Sequence, residues 1–272
     1  MRIVHLSDLH FGWHNPVIAD SLAAEVEGHS PDVVVVSGDF AQIGSTNEFV
    51  MAADFLRSLS APVFSVPGNH DVPTVNLYMR FFYPFARYRR HISEEIEPIL
   101  ETKGVVLAGI NTARRMRPGL NWAEGVIDAE QLERLGRRFK QAHPDAVRVV
   151  VAHHPLLQPE VPVSMKTVKR ADLALEKFRE LGVRLVLSGH FHLSYARWQR
   201  PDSVTSDIPH GPVQATAGDI IVVQASTAIS TRLRQHPNAY NVIDIDDDIV
   251  SVSVREWAGT SWRTREHVVQ PV

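Results

Sequence analysis

Five apolar runs in this chain stop abruptly on residues able to bind a metal ion or carry a proton. Residues 2–7 end in Asp8-Leu9-His10, 33–37 in Gly38-Asp39, and 63–67 in Gly68-Asn69-His70-Asp71. Residues 147–152 end in His153-His154-Pro155, and 183–188 in Gly189-His190-Phe191-His192. Taken alone, each ending has an ordinary explanation: Pro67-Gly68-Asn69 is turn chemistry, Asp8 or Asp39 would cap a following helix, and His5 or His154 would be a satisfied interior histidine. Recurrence changes the reading. Functional groups gather outside the carboxyl ends of parallel strands, so five such endings converge if the strands are neighbours in an open α/β sheet. Eight oxygen and nitrogen ligands are too many for one tetrahedral zinc and suit two metals sharing a bridging carboxylate.

The elements that must position these residues are legible as alternating strands and helices. The five runs are short, continuous and rich in β-branched residues, as buried strands are. Between them, residues 17–27 read as a helix with Leu22, Ala23 and Val26 on one face, closed by Gly28, and 47–58 as a second with Phe49, Ala52, Ala53 and Leu56 facing in. Asp128 caps a helix running to about residue 142, in the pattern Asp128-Ala129-Glu130-Gln131, and 170–181 is a fourth. This alternation predicts right-handed crossovers and parallel strands. Residues 105–110 are a further strand, whose polar end at 111–115 points to the same crevice.

Residues 72–103 break the pattern with aromatics and arginines, among them Tyr78, Arg80, Phe82, Tyr83, Arg87, Arg89 and Arg90. They predict a helical cap over the strand ends. Either its aromatics are core and its arginines solvated, or it is a lid that brings one or two arginines to a phosphate and an aromatic face to the substrate. Residues 200–219, rich in Pro, Ser, Thr, Asp and Gly, read as a long loop. Strands follow at 220–224, 240–245 and 249–256, the last two joined by a turn at Asp246-Asp247-Asp248, which is better explained as a turn than as a metal site.

At 272 residues the chain fits one α/β domain with a cap. A net charge of -3 and a pI near 6.5 give no general footprint for nucleic acid or anionic membrane. With no cysteine, disulfides and thiolate metal sites are excluded, so metal ligands must be His, Asp or Asn. No run approaches the roughly 20 apolar residues needed to span a bilayer. Met1 leads directly into a strand with no leader-like segment, which sets the expectation of a cytoplasmic protein. Nothing in the sequence fixes an oligomeric state.

In order along the chain, Asp8-x-His10, Gly38-Asp39, Gly68-Asn69-His70-Asp71, His153 and Gly189-His190-x-His192 resemble the calcineurin-like metallophosphoesterases. The resemblance implies a four-layer αββα sandwich of two mixed sheets flanked by helices, with the strands after residue 219 completing the second sheet. It implies a binuclear centre in which Asp8, His10, Asp39 and His192 hold one metal and Asp39, Asn69, His153 and His190 the other. The His-x-Pro alignment favours His153 over His154. By the same resemblance His70 stands beside the substrate without binding metal, oriented by Asp71. Departures narrow the type. Gln42 stands where purple acid phosphatases carry a tyrosine, residues 40–43 differ from the Ser/Thr protein phosphatase continuation, and the repair nucleases' DNA-binding extension is missing. What remains resembles bacterial cyclic-nucleotide phosphodiesterases and their promiscuous phosphodiesterase relatives.

Hydrolysis of a phosphate ester needs a hydroxide at neutral pH and stabilisation of charge at both ends of an in-line displacement, which two metals about 3.5–4 Å apart supply. Two divalent ions against Asp8 and Asp39, with the other ligands neutral, leave a formal charge of about +2 that attracts a phosphate anion. Carboxylate, amide and imidazole donors suit manganese, iron or zinc, with manganese the choice for assay. The expected activity is hydrolysis of a small phosphate diester by a metal-bridging hydroxide. The alternatives are a broad phosphomonoesterase, a nucleotide-lipid pyrophosphatase, and a non-catalytic scaffold, the last disfavoured because no ligand is missing.

Overall fold

A strand that is apolar on both faces needs a neighbour on each side, and here the two sides are a second sheet and a layer of helices. The computed structural model describes residues 1–116, 123–159, 165–199, 205–207, 219–233, 236–246 and 249–271. In chain order the elements are β1 (Arg2–Leu6), α1 (Pro16–Gly28), β2 (Val33–Val36), α2 (Thr46–Arg57), β3 (Val63–Ser65), α3 (Leu77–Phe82), α4 (Ala86–His91), β4 (Ile99–Thr102) and β5 (Val105–Ile110). There follow α5 (Ala129–Phe139), β6 (Val147–Ala152), α6 (Ala171–Glu180), β7 (Val183–Ser188), β8 (Tyr195–Gln199), β9 (Thr205–Asp207), β10 (Ile220–Gln224), β11 (Ala239–Asp246), β12 (Ile249–Trp257) and β13 (Trp262–Pro271). One sheet has the order β13-β12-β11-β1-β2-β3 and the other β4-β5-β6-β7-β10-β8-β9.

The period-2 geometry of a strand assigns each residue to a layer. Val34 and Val36 of β2 pack with Ile18, Leu22 and Val26 of α1 and Phe49 and Ala52 of α2. Val33 and Val35, with Ile3 and Phe64, face Leu107, Val149, Val151, Leu185 and Val223 of the other sheet. On the far side Val106, Val150, Val186 and Val222 pack on Leu132, Leu135 and Phe139 of α5 and Leu175 and Phe178 of α6. The result is the expected α/β four-layer αββα arrangement with two mixed sheets. Helix starts follow local chemistry: Ser45 and Glu48 form a capping box on α2, as Asp128 and Gln131 do on α5.

Two expectations need correction. The five ligand-bearing runs are not neighbours in a single open sheet: β1, β2 and β3 run parallel in one sheet, β6 and β7 in the other. Their carboxyl ends meet because the sheets face each other. The segment after Asp71 also differs from a helical cap extending to 103. It holds two six-residue helices and then β4, which pairs antiparallel with β5 (Leu100 opposite Leu107). The polar seam beneath the strand ends was not anticipated either. Asn241 Nδ2 donates to Gln224 O (3.2 Å), Ser188 Oγ donates to Gln224 Oε1 (2.8 Å), and His5 Nε2 lies 2.9 Å from Ser37 Oγ, all buried between the sheets.

β8, β9 and β13 are strands beyond those expected, and β9 lies inside the anticipated loop, of which 200–204 and 208–218 lie outside the described residues. Asp247 and Asp248 of the expected turn are likewise outside them, while Asp246 closes β11 opposite Ile249. Among the described residues no helix is long and apolar enough to cross a membrane.

Candidate metal centre

Each of the five strands hands over to a sharp turn, and the turn aims the side chains. Asp8, His10, Asp39, His190 and His192 have positive φ, between 48° and 77°, whereas only three other non-glycine residues among those described do. Such conformations are disfavoured for L-residues and persist where surrounding structure enforces them. Here the enforcement is a crossing of the two sheets. Gly189 N donates to His153 O (2.9 Å), His190 N donates to Asp8 Oδ2 (2.8 Å), and a Cβ on Gly189 would overlap Ser7 Oγ. Gly68 is equally confined, since a Cβ there would overlap Asp39 Oδ1 and the Asp39 backbone nitrogen.

The turns bring all seven candidate ligands together, each buried. Asp8 Oδ2 accepts from Ser7 Oγ (2.6 Å) and from His190 N, but Asp8 Oδ1 is buried without a hydrogen-bond partner. That oxygen faces His192 Nε2 at 3.2 Å and His10 Nε2 at 3.7 Å, and the two ring nitrogens stand 3.3 Å apart. On the other side His153 Nε2 lies 3.1 Å from Asn69 Oδ1 and 3.3 Å from Asp39 Oδ2. Asp39 Oδ2 is also 3.8 Å from His10 Nε2, so one carboxylate oxygen faces both groups. His190 joins the second group, its ring 5.2 Å from that of His153.

A cation suits this arrangement. An orphaned carboxylate oxygen and converging imidazole nitrogens at 3.1–3.8 Å have the spacing of donors that share an ion at about 2.1 Å each. Two imidazoles are already set for it. His153 Nδ1 donates to Ser37 O (2.8 Å) and His192 Nδ1 to Arg232 O (2.9 Å), which leaves the Nε2 lone pairs directed inward. His10 Nδ1 has no such partner.

The electrostatics follow from burial and proximity. Against its burial, the neighbouring His192 and His10 hold Asp8 well below the usual carboxylate range. Asp39 is likewise held down against burial, chiefly by His153 and His70. Its charge in turn overrides the burial of His153 and raises that imidazole to about 9. Burial, with help from His153, pushes His190 down to about 3. In the metal-free protein these shifts favour a charged His153 against an ionised Asp39, a buried ion pair that a metal would replace.

His154 lies against His153 and His190, with ring centroids 4.8 and 4.6 Å away, yet both its nitrogens are engaged. Thr112 Oγ1 donates to His154 Nδ1 (2.7 Å), and His154 Nε2 donates to Ala123 O (2.9 Å). It is a satisfied interior histidine, as is His5, and Thr112 is the member of the 111–115 end that reaches this neighbourhood. Arg114 instead braces α5 through Asp128 and Gln131.

His70 stands beside the centre, its ring edge-on to His10 with centroids 4.8 Å apart. The expected partner is wrong. Asp71 accepts from Ala41 N (3.0 Å) and Gly68 N (2.8 Å), so it ties two turns together rather than orienting the ring. Burial and the Asp39 carboxylate push Asp71 up to about 8, against the pull of those two N–H groups. His70 is held instead by Gln42, whose carbonyl accepts from His70 Nδ1 (2.6 Å). His70 Nε2 is then an acceptor, and Arg232 Nη1 donates to it (3.2 Å).

Gln42 and Arg232 were not anticipated as site residues, nor were Thr227 and Ser226, which donate to the carbonyls of Asp8 (2.6 Å) and His192 (3.0 Å). A signal existed: the run 220–224 is a sixth strand whose end, Ala225-Ser226-Thr227, reaches the centre without offering a ligand.

Comparison with known proteins agrees with this geometry. A probable cyclic nucleotide phosphodiesterase of Synechococcus sp. is 24% identical over 212 residues, covering 72% of this chain and 74% of that protein. The 3',5'-cyclic adenosine monophosphate phosphodiesterase CpdA of Escherichia coli K12 is 27% identical over 179 residues, 60% of this chain and 55% of that protein. The crystal structure of a dimetal phosphatase from Danio rerio superposes with a TM-score of 0.63 at 14% identity, covering 97% of this chain and 98% of that one, which is a likeness of fold. The model for calcineurin-like phosphoesterases matches residues 1–194, and the chain belongs to that family of hydrolases.

Proposed function

We propose that the protein is a binuclear, metal-dependent phosphodiesterase acting on small phosphate diesters, cyclic nucleotides among them. The observation that carries the proposal is Asp39 Oδ2, which faces His10 on one side and His153 on the other at 3.8 and 3.3 Å. Asp8, His10 and His192 would hold one ion, Asn69, His153 and His190 a second, with Asp39 shared. Bound there, two transition-metal ions lower the pKa of a water and neutralise charge on phosphoryl oxygens. Manganese is the proposed ion for assay, with iron or zinc as alternatives.

The chain's own groups do the rest. The Ser37 and Arg232 carbonyls fix the tautomers of His153 and His192, so neither ring must reorganise. Gln42 O holds the His70 Nδ1 proton, which leaves His70 Nε2 as the atom at which a proton is exchanged beside the substrate. Choice of a diester is supported by the names of the relatives. A nucleotide-lipid pyrophosphatase is the second reading, favoured by the exposed side chains of Leu77, Tyr78, Phe82 and Tyr83.

The test is the rate of the manganese-loaded protein on bis(p-nitrophenyl) phosphate against p-nitrophenyl phosphate, with an EDTA-treated control. Metal-dependent preference for the diester is expected. Preference for the monoester would overturn the phosphodiesterase reading in favour of a phosphatase.

A further inference from the structure

A phosphate ester brings negative charge to the centre, and an arginine is the side chain best shaped to receive it. The arginines of the 72–103 segment are engaged elsewhere or face solvent. Arg80 is buried and donates to the carbonyls of Val72, Pro73 and Arg115, Arg87 donates to Gly44 O, and Arg89 and Arg90 are exposed. Arg232 is different. It lies in the turn after β10, its guanidinium is half-buried, and among the described residues no carboxylate pairs with it. Its side-chain partners are neutral acceptors: His70 Nε2 at 3.2 Å and Gln42 Oε1 at a long 3.4 Å.

The surroundings of Arg232 are rigid. Its own carbonyl accepts from the candidate ligand His192, and Thr231 N and Thr231 Oγ1 both donate to Trp13 O (2.8 Å each). Trp13 N in turn donates to the carbonyl of the candidate ligand His10 (2.9 Å). The guanidinium carbon sits 5.9 Å from the centroid of the Trp13 ring, which is 55% exposed. A cation is thus carried on an aromatic face at the rim, anchored through the backbone to ligands on both sheets, and bonded to acceptors weaker than a phosphate oxygen.

We propose that Arg232 is the substrate's anion clamp: its guanidinium leaves the His70 ring and takes a non-bridging phosphoryl oxygen, with Trp13 as the face that keeps it at the rim. The proposal rests on the phosphoesterase centre described above and names a group that touches the substrate there. Exchange of a neutral imidazole acceptor for an anionic oxygen favours the bound state, because the guanidinium then meets an opposite charge and a phosphate can accept from two of its N–H groups at once. It also uncovers His70 Nε2 when substrate arrives.

Binding of inorganic phosphate to the manganese-loaded protein, followed by calorimetry with metal content measured alongside, tests this without turnover. A protein inactive on the diester therefore still gives an answer. Arg232→Ala should weaken phosphate binding roughly tenfold or more at unchanged manganese content. Arg232→Lys should restore part of it, and Arg232→Gln, which keeps a donor for His70 but no charge, should not. The weakening should persist in a His70→Ala background. If it vanishes there, Arg232 acts only through His70 and the clamp is wrong. Unchanged phosphate affinity in both Arg232→Ala and Arg232→Gln, or a wild-type protein that holds manganese yet no phosphate, overturns it as well. Should Arg232→Ala lose its metal, Arg232→Gln and Arg232→Lys carry the same comparison.

Discussion

At the ends of β1, β2, β3, β6 and β7 seven candidate ligands are buried, five of them with positive φ, and the turns that carry them are cross-tied from sheet to sheet. Past Asp71 the chain takes the opposite course. Helix α3 has six residues, its main anchor is the buried Arg80, and it leaves Tyr78 and Phe82 63% and 67% exposed. A reaction centre tolerates little displacement of its groups, so its geometry is enforced from many directions. Short elements with few ties leave apolar area exposed and free to adjust. Under the proposed function, this exposed face is where selection among esters would be sought, apart from the buried centre.

The largest effect should come from the shared oxygen. Asp39→Ala removes a ligand from both groups and should abolish manganese binding at two equivalents together with activity. Retention of both ions by that variant would mean that the two groups do not share a carboxylate. His70→Ala should lower the rate about 10²–10⁴-fold while leaving the metal content intact. Metal loss in that protein would place His70 among the ligands instead.

A third effect is a pH dependence that is steeper in the metal-free protein. His153 is raised to about 9 from an ordinary 6.5, so its contribution to stability is full below about pH 6.5 and lost as pH rises through about 9. Asp71, raised from an ordinary 3.8 to about 8, acts in the same sense, its contribution falling from about pH 3.8 and gone by about pH 8. The thermal midpoint of EDTA-treated protein should fall across pH 6.5–9. The manganese-loaded form, whose His153 must already be neutral to bind, should vary less. Equal slopes for the two forms would count against the buried ion pair. Smallest of all, Tyr78→Ala with Phe82→Ala should change stability by no more than about 0.5 kcal/mol each, by denaturant titration, and leave bis(p-nitrophenyl) phosphate hydrolysis within about twofold. A large loss on this small substrate would show that α3 belongs to the centre after all.

The candidate ligands were legible because a metal site demands particular residue types, and buried strands announce where they end. Sheet membership was not legible. The runs at 33–37 and 147–152 look alike in sequence, yet β2 and β6 lie in different sheets, because pairing is decided by partners far along the chain. Edge strands escaped for a related reason: residues 99–102 carry Glu101 and Thr102 and alternate only weakly, and β4 exists through its ladder to β5. The resemblance misled at Asp71, where the motif implied a carboxylate that orients His70 and the turn amides of Gly68 and Ala41 claimed it instead. Arg232 carried no motif; only the fold brings the turn after β10 to His70.

The facing of the two sheets has a mechanical consequence. Asp8 and His190, already joined by a hydrogen bond from the His190 amide to the Asp8 carboxylate, are 182 residues apart in sequence and sit on opposite sheets. Ions held between their groups would act as cross-links across a very long loop, of the kind that restrains an unfolded chain most strongly. This chain has no cysteine with which to make such links covalently. Its staples would be ones that a chelator can withdraw and a metal salt can restore, so that the cohesion of the sandwich at this end follows the supply of metal.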